Sequence, residues 1–275
     1  MVATPIGNLS DVTFRALEVL AAVPLIAAED TRLTKRLLSR HGIDTRLTSF
    51  HARSDPGRLA ALLAHLRDGA DLALTTDAGT PAVSDPGAEL VGAWTAEGGR
   101  VVPIPGPSAV LAAVSATGVA GPRWTFEGFL PRSGRERRER LAAIAGDARG
   151  AVLFEAPRRV AATLRDLAAA CGSERPGAIC RELTKLHEQI VGGSLGELTA
   201  AVERGEIPSR GEFVLVVGAS SDVRASASPD DGRAAALAKV ERLVSAGTAR
   251  GEAARRVAAE TGIPRRRLYE AADRA

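Results

Sequence analysis

Short apolar runs recur along the chain, and segments with helical periodicity separate them. We predict strands at residues 25–28, 72–76, 101–104, 151–154, 178–180 and 213–217. Strands that alternate with helices are typical of an α/β fold. The chain is therefore expected to form mixed α/β layers.

Apolar positions between these runs follow the helical repeat. The leucines at positions 59, 62, 63 and 66 have the i, i+3, i+4, i+7 spacing, and Gly69 can end the helix that they predict. The same periodicity runs from Val160 to Leu167, ahead of Gly172. Ser194 with a Glu three residues later is a capping-box pattern, which predicts a helix up to about residue 205.

Changes of composition divide the chain. We expect an N-terminal α/β domain at residues 1–120, a second α/β domain at 121–219, a linker at 220–232 rich in Ser, Ala and Asp, and a helical extension at 233–275. The extension has ten Lys/Arg against five Asp/Glu, a net charge of +5, which leaves −2 of the total +3 for the preceding residues. This asymmetry favours a module that binds a polyanion.

The extension has the pattern of two short helices around a glycine turn at Gly262, which is typical of a helix-turn-helix. Arg265, Arg266 and Arg267 begin its last helix and would face a nucleic acid. Any small basic helical bundle gives the same pattern, so both interpretations stay open.

Composition narrows the class of protein. The 275 residues are 45% hydrophobic, 25% charged and only 3% aromatic, as in a folded protein whose core is built from Ala, Leu and Val. No apolar run is long enough to span a membrane and no signal-peptide pattern begins the chain, so a cytoplasmic protein is expected. Cys171 and Cys180 are not in a CxxC motif and the four histidines are far apart, which predicts buried thiols and no metal site.

Four Gly/Pro loops, at residues 4–8, 77–81, 84–87 and 105–109, follow or should follow strands. Ligands of open α/β sheets bind at the carboxyl ends of strands, so the loops are expected to line one crevice. They contain no Lys or Arg, and the chain has neither a GxGxxG with a following acid nor a GxxxxGK[ST]. A ligand without phosphates therefore fits better, although Gly and Pro also mark ordinary turns.

Eight motifs in order carry a resemblance. They are VATPIGNL (2–9), AEDTR (28–32), TDAGTPAVSDPG (76–87), PGPSA (105–109), FEGFLP (126–131), EAPRR (155–159), RELTK (181–185) and GEFVLV (211–216). The series resembles the small-subunit ribosomal RNA cytidine 2′-O-methyltransferase family, of the tetrapyrrole-methylase superfamily. The resemblance implies a two-domain fold with S-adenosylmethionine in the interdomain cleft, a helix-turn-helix-like extension, small-subunit ribosomal RNA or the small subunit as substrate, and a homodimer.

The resemblance also implies site residues. The cofactor contacts that it implies are Thr80, Val83, Ser108 and Ala109, with Pro5, Ile6, Asp77 and Gly79 in the same loops and Glu155, Arg181 and Glu212 in the second domain. Candidate catalytic residues within the motifs are Asp30, Arg32, Lys185 and Glu188. Asp30 could equally be a helix cap paired with Arg32, and Lys185 a solvated surface lysine.

A second basic cluster follows the FEGFLP motif. Arg132, Arg135, Arg137 and Arg138 are candidate RNA-binding residues there, with Arg140 close by. Acidic neighbours dilute the cluster, so it could also be a solvated helix face laced with ion pairs.

Two other functions stay open at this point. One is methylation of a tetrapyrrole or a protein by an enzyme of the same fold, against which the basic extension argues. The other is a non-catalytic RNA-binding assembly factor.

One feature departs from the family's pattern. Members have several apolar residues before VATP, whereas this chain begins at Met1-Val2. A shortened first strand would lose ladder hydrogen bonds and apolar burial, so a chain that starts here is expected to melt at a lower temperature than one with an upstream extension.

Overall fold

The structure is a computed structural model that describes residues 1–52, 54–220, 229–261 and 263–270. The chain forms two compact units, Met1–Ala219 and Ser220–Ala275. Of the linker expected at 220–232, positions 221–228 lie outside the described residues, and a helix already begins at Pro229. The division of the first unit at residue 120 stays a prediction.

The first half of the large unit contains a three-stranded parallel sheet. Its strands are β1 (Leu25–Ala28), β2 (Leu47–Ser49) and β3 (Leu72–Thr75), in the order β2-β1-β3. Helices α1 (Phe14–Ala22), α2 (Thr31–Arg40), α3 (Pro56–Arg67) and α4 (Ala88–Ala96) pack on its two faces, and α5 (Ala109–Thr117) follows them in the chain and packs on the second sheet. Strand β1 is buried on both faces, as expected of the central strand of a covered parallel sheet.

Alternation along β1 sends side chains into two cores. Ile26 packs with Leu20 of α1 and Leu38 of α2, whereas Ala27 packs on the other face with Leu62 of α3. The helices therefore lie in layers on both sides of the sheet. This arrangement leaves the carboxyl ends of β1 and β3 at one edge, from which the loops emerge.

The second half contains a five-stranded mixed sheet. Its strands are β4 (Trp124–Phe129), β5 (Gly150–Glu155), β6 (Pro176–Arg181), β7 (Gln189–Ser194) and β8 (Phe213–Val217), in the order β4-β5-β8-β6-β7. Only β4 and β5 run parallel. Helices α6 (Gly134–Gly146), α7 (Val160–Cys171) and α8 (Leu195–Glu203) cover one face.

The opposite face of this sheet packs against the first half. Val214 and Val216 of β8 share a core with Val110 and Ala113 of α5 and with Ile6, while alternate β8 residues face α6–α8. This shared core holds the two sheets in a fixed relation. The loops of the first half consequently lie over the edge of the second sheet.

Several local predictions are confirmed. The predicted strands at 25–28 and 213–217 have these bounds in the structure, and Ser194 and Glu197 form the reciprocal capping box that begins α8. Ser108 caps α5, whose end at Gly118 has a left-handed backbone conformation.

The strand predicted at 101–104 is wrong. Only Ile104 forms a bridge, with Val2, and the Ile104 amide donates to the Met1 carbonyl at 2.8 Å. Pro103 and Pro105 flank Ile104 and have no amide hydrogen, so they cannot donate to a ladder. Strands β2, of three residues, and β7, which contains Gly192 and Gly193, were not predicted because their sequence signals are weak.

The small unit contains the three helices α9 (Pro229–Ser245), α10 (Arg250–Thr261) and α11 (Arg265–Glu270). Val240, Val257 and Leu268 share a core that joins them. The turn expected at Gly262 lies outside the described residues. Within the described ranges, no helix has the length and apolar content that crossing a membrane requires.

Candidate active site

Hydrogen bonds join the loops of the first half. Thr4 and Gly79 exchange backbone hydrogen bonds, with N to O distances of 2.9 and 3.0 Å. The Thr80 hydroxyl donates to the Pro107 carbonyl at 3.2 Å. Gly79 has a φ of +87°, a left-handed conformation that glycine adopts readily. The convergence of the loops that their positions predicted is confirmed.

The loops form one wall of a partly open pocket, which we call the main pocket, with a volume of about 390 Å³. All four loops contribute to it, and the opposite wall comes from the ends of β5, β6 and β8. Phe129 and Phe154 pack together there with ring centroids 5.6 Å apart. A volume in the range of small-molecule sites and a largely apolar wall suit an organic ligand.

The charged groups of the main pocket are all acidic. Asp85, Glu155 and Glu212 line it, and no Lys or Arg is among the lining residues that the structure describes. Glu155 and Glu212 pair with Arg159 and Lys185, which are outside this lining, whereas Asp85 has no ion pair within the described residues. Because an uncompensated carboxylate is costly where water is scarce, the pocket favours a ligand that is cationic at neutral pH.

Asp85 has a perturbed pKa. Burial, together with the negative charges of Glu29 and Asp77, raises the pKa of Asp85 to about 6, although the nearby Thr76 hydroxyl acts in the other direction. Burial also raises the pKa of Glu29. Glu29 follows β1, and Asp85 lies in a loop after β3, so the carboxylates at this edge of the sheet disfavour one another's ionisation.

Glu155 is held in place by a buried network. Its side chain is fully buried, and its carboxylate accepts hydrogen bonds from the Thr163 hydroxyl at 2.5 Å and the Ala156 amide at 2.8 Å. Arg159 lies 3.3 Å from the same carboxylate. Thr163 in turn accepts a hydrogen bond from Arg137 at 2.9 Å. The network fixes the position of this carboxylate at the wall of the pocket.

Backbone strain accompanies the site. Among residues other than glycine, Ala82 and Ser84 have φ values of 68° and 64°, and Glu182 and Thr184 have φ values of 51° and 66°. One pair belongs to a loop that lines the main pocket, and the other to the loop after β6. Such conformations cost about 1–3 kcal/mol each and are concentrated at functional sites, which supports a function for both loops.

A second space, which we call the side cleft, adjoins the main pocket, and its volume is about 340 Å³. Ile6, Ala78 and Glu212 line both spaces. Lys185 lines the side cleft, and its ammonium group lies 2.9 Å from Glu182 and 3.1 Å from Glu212. Burial alone would lower the pKa of Lys185, but the two carboxylates outweigh it and raise that pKa. Lys185 is therefore a fixed cation.

The residues implied as cofactor contacts fall into three groups. Those that line the main pocket are Ile6, Gly79, Thr80, Val83, Ser108, Ala109, Glu155 and Glu212. Pro5 and Asp77 line the side cleft instead. Arg181 lines neither space, because its buried guanidinium donates to the carbonyls of Arg210 and His187 and to Gln189. Arg181 thus orders the loop beside the site.

Asp30 has the geometry of a helix cap. Its carboxylate accepts a hydrogen bond from the Arg32 amide at 2.8 Å and pairs with the Arg32 guanidinium at 2.5 Å. The hydrogen bonds from Arg32 lower the pKa of Asp30 to about 2, which makes it a weak base at neutral pH. Glu188 is exposed and accepts from the Thr184 amide at 2.6 Å, so it orders the loop after β6.

The structure separates the arginines proposed for RNA binding. Arg137 is only 8% exposed and is bonded to Asp166, Thr163 and the Pro131 carbonyl, so it cannot contact RNA phosphates in this fold. Its prediction as an RNA-binding residue is corrected. Those with exposed side chains are Arg132, Arg135, Arg138, Arg265 and Arg266. Arg135 pairs with Glu139, and the side chain of Arg267 lies outside the described part of the chain.

Sequence reasoning missed several pocket residues. Asp85 lies in the predicted loop at residues 84–87, but it is not among the predicted contact residues. Phe129 and Phe154 belong to, or directly precede, quoted motifs, which is the signal that could have found them. Cys180 also lines the pocket, where burial raises the pKa of its thiol to about 11, so it stays protonated. The described residues contain no group of three or more His, Cys, Asp or Glu that could hold a metal ion.

Comparison with known proteins places the chain in a family. Residues 1–199 match the model of the tetrapyrrole (corrin/porphyrin) methylases. The ribosomal RNA small subunit methyltransferase I of Synechocystis sp. is 45% identical over 98% of this chain and 95% of its own length. The protein of the same name from Escherichia coli O157:H7 is 46% identical over 79% of this chain and 76% of its own length.

A solved structure has the same fold. The cobalt precorrin-4 methyltransferase, a cobalamin biosynthetic enzyme, superposes with a TM-score of 0.61 at 19% identity, over 79% of this chain and 92% of its own. This likeness confirms the tetrapyrrole-methylase-like fold that the motifs predicted.

Proposed function

The chain belongs to the tetrapyrrole methylases and, among them, to the family of ribosomal RNA small subunit methyltransferase I, and on this basis we propose that it methylates a cytidine 2′-hydroxyl of small-subunit ribosomal RNA. The methyl donor is S-adenosylmethionine. The acidic main pocket beside a fixed lysine is the observation that carries the proposal. The protein acts in the cytoplasm, and we expect it to be a homodimer, which light scattering would measure.

The main pocket fits this cofactor. S-adenosylmethionine has a sulfonium and an ammonium group, no phosphate, and an adenosine that needs apolar surface and backbone hydrogen bonds. The pocket provides carboxylates without Lys or Arg in its described lining, three phenylalanine rings and small loop residues. When bound, the cofactor supplies an electrophilic methyl carbon. Ser108, Thr80 and the backbone of residues 78–80 are the proposed contacts.

Asp85 is proposed to complement the positive charge of the cofactor. Its pKa of about 6 means that the carboxylate is ionised at neutral pH and becomes protonated below pH 6. Cofactor affinity should therefore rise as the pH increases through 6 and should not do so in Asp85→Asn. Calorimetric titration of S-adenosylmethionine, whose sulfonium charge S-adenosylhomocysteine lacks, would measure this dependence. Glu89→Gln, which changes an exposed carboxylate of α4 outside the pocket, is the control.

The side cleft is the proposed entry for the acceptor nucleotide. Lys185 is a fixed cation there, and Glu212 borders both the cleft and the main pocket. A cation next to the acceptor hydroxyl stabilises the negative charge that develops on its oxygen as the proton leaves. With the cofactor bound, the hydroxyl oxygen would form its bond to the methyl carbon as the carbon–sulfur bond breaks, and the hydroxyl proton would pass to water in the open cleft. The loops and Lys185 would align these atoms, and alignment supplies much of the rate.

Methyl transfer to isolated small ribosomal subunits tests the proposal. The subunits are prepared from cells that lack this gene, labelled S-adenosylmethionine is the donor, and the rRNA is digested to nucleosides. Label in 2′-O-methylcytidine is the expected result. Label in another nucleoside, in ribosomal protein or in a tetrapyrrole would refute the assigned acceptor, and cofactor binding without transfer to any of them would favour a non-catalytic role.

A further inference from the structure

Helix α2 has two chemically different faces. Thr34, Leu37 and Leu38 are buried against the first sheet. The side chains of Arg32, Lys35, Arg36 and Arg40 are exposed on the other face. Residues at i, i+4 and i+8 of a helix are about 6 Å apart per step along its axis, so Arg32, Arg36 and Arg40 form a row about 12 Å long.

This face lines an open groove of about 1140 Å³, which we call the α2 groove. The other side of the groove is β2, an edge strand of the first sheet. Besides the four cations, the lining has four hydroxyl side chains and two leucines, and no carboxylate is among the described residues that line it. Arginine, lysine and hydroxyl side chains are the groups that contact nucleic-acid phosphates.

Two of these four cations have no acidic partner among the described residues. Lys35 pairs with Asp44 at 2.8 Å, and Arg32 pairs with Asp30. Arg36 and Arg40 have neither an ion pair nor a hydrogen bond from their side chains to any residue within the described ranges. Exposed cations without partners raise the local positive potential, which attracts a polyanion.

The groove is continuous with the site. Leu9 and Arg36 line both the α2 groove and the side cleft. The side cleft in turn shares Ile6, Ala78 and Glu212 with the main pocket. If the phosphates of an RNA strand lay along α2, an adjacent nucleotide of the same RNA strand would therefore reach the side cleft.

We propose that the α2 groove binds the phosphate backbone of the RNA strand that carries the acceptor nucleotide, an inference that rests on the proposed function. A row of cations on one helix fits a single strand. An acidic protein is a poorer fit, because the centres of protein interfaces are enriched in aromatic side chains, and the described lining of this groove contains none.

Single substitutions test the proposal by direct binding to small ribosomal subunits and to protein-free small-subunit rRNA. Arg36→Gln and Arg40→Gln should each weaken binding to both, and the slope of log K against log salt should decrease by about 0.7 per removed contact with a single strand. Arg36→Lys should keep the slope. Arg100→Gln is the matched control, because Arg100 is exposed near the opposite, amino end of β3.

The outcomes separate this inference from the proposed function. If the salt slopes of the Arg36→Gln and Arg40→Gln variants equal that of Arg100→Gln, the α2 groove does not bind the RNA backbone. This conclusion would hold even with normal methyl transfer. Weaker binding to subunits but unchanged binding to protein-free rRNA would also overturn the proposal and indicate a ribosomal protein as the partner. Affinity for S-adenosylhomocysteine should stay unchanged in all variants. RNA binding that depends on α2 without any methyl transfer would support the groove and refute the proposed function.

Discussion

Arg137 and Arg138 are neighbours in sequence with opposite structural roles. Arg137 donates to Asp166 at 2.9 and 2.7 Å, to Thr163 at 2.9 Å and to the Pro131 carbonyl at 2.9 Å. Arg138 is exposed and forms no hydrogen bond or ion pair within the part of the chain that the structure describes. Replacement of either arginine by alanine therefore removes one positive charge from the same helix. Only the Arg137→Ala replacement also removes a hydrogen-bond network.

The expected difference follows from these contacts. A hydrogen bond that involves a charged group contributes about 1.5–3 kcal/mol to stability. The Asp166 side chain is 44% exposed, so in the Arg137→Ala variant water can replace part of the interaction that Asp166 loses. The Thr163 hydroxyl keeps its hydrogen bond to Glu155. We expect Arg137→Ala to lower the free energy of unfolding by about 2–4 kcal/mol and Arg138→Ala by at most about 0.5 kcal/mol. A loss of 3 kcal/mol corresponds to a decrease in Tm of about 6–12 °C.

Urea unfolding followed by circular dichroism, with thermal melts beside it, measures both variants. The Arg137→Ala variant should have a lower midpoint at an unchanged m-value. Equal midpoints for the two variants would refute the reasoning, because they would mean that the Arg137 network contributes no net stability. A loss of RNA binding by Arg137→Ala at full stability would restore its role as an RNA contact.

Three further expectations concern single residues. Folding raises the pKa of Asp85 from 3.8 to about 6, so the free energy of unfolding should decrease as the pH rises from about 4 to 6. In urea titrations, the Asp85→Asn variant should lose this pH dependence and should be more stable than the parent protein at pH 8. Lys185→Ala should reduce methyl transfer by about 100-fold with S-adenosylhomocysteine affinity retained, and unchanged turnover would remove Lys185 from the site. Ser194→Ala should cost about 1 kcal/mol of stability without a change in activity, and an unaltered midpoint would contradict the contribution of the capping box.

The sequence by itself determined the local elements. Apolar spacing located α3 and α7, Ser194 marked a helix start, and the Gly/Pro loops marked the edge of the sheet where the site lies. These features depend on residues within a few positions of one another. Their physical causes, which are side-chain periodicity, capping and turn conformation, can be recognised in a short segment.

The tertiary structure decided which residues meet. β5 and β8 are neighbours although nearly 60 residues separate them, and this pairing brings Glu155 and Phe213 to the loops of the first half. Tertiary packing also buries Arg137 and leaves Arg36 exposed. It raises the pKa of Asp85 through burial and through carboxylates from distant segments of the chain. Burial and electrostatic potential depend on all the groups around an atom, so residues of the same type in similar local patterns acquire different roles only when the chain is packed.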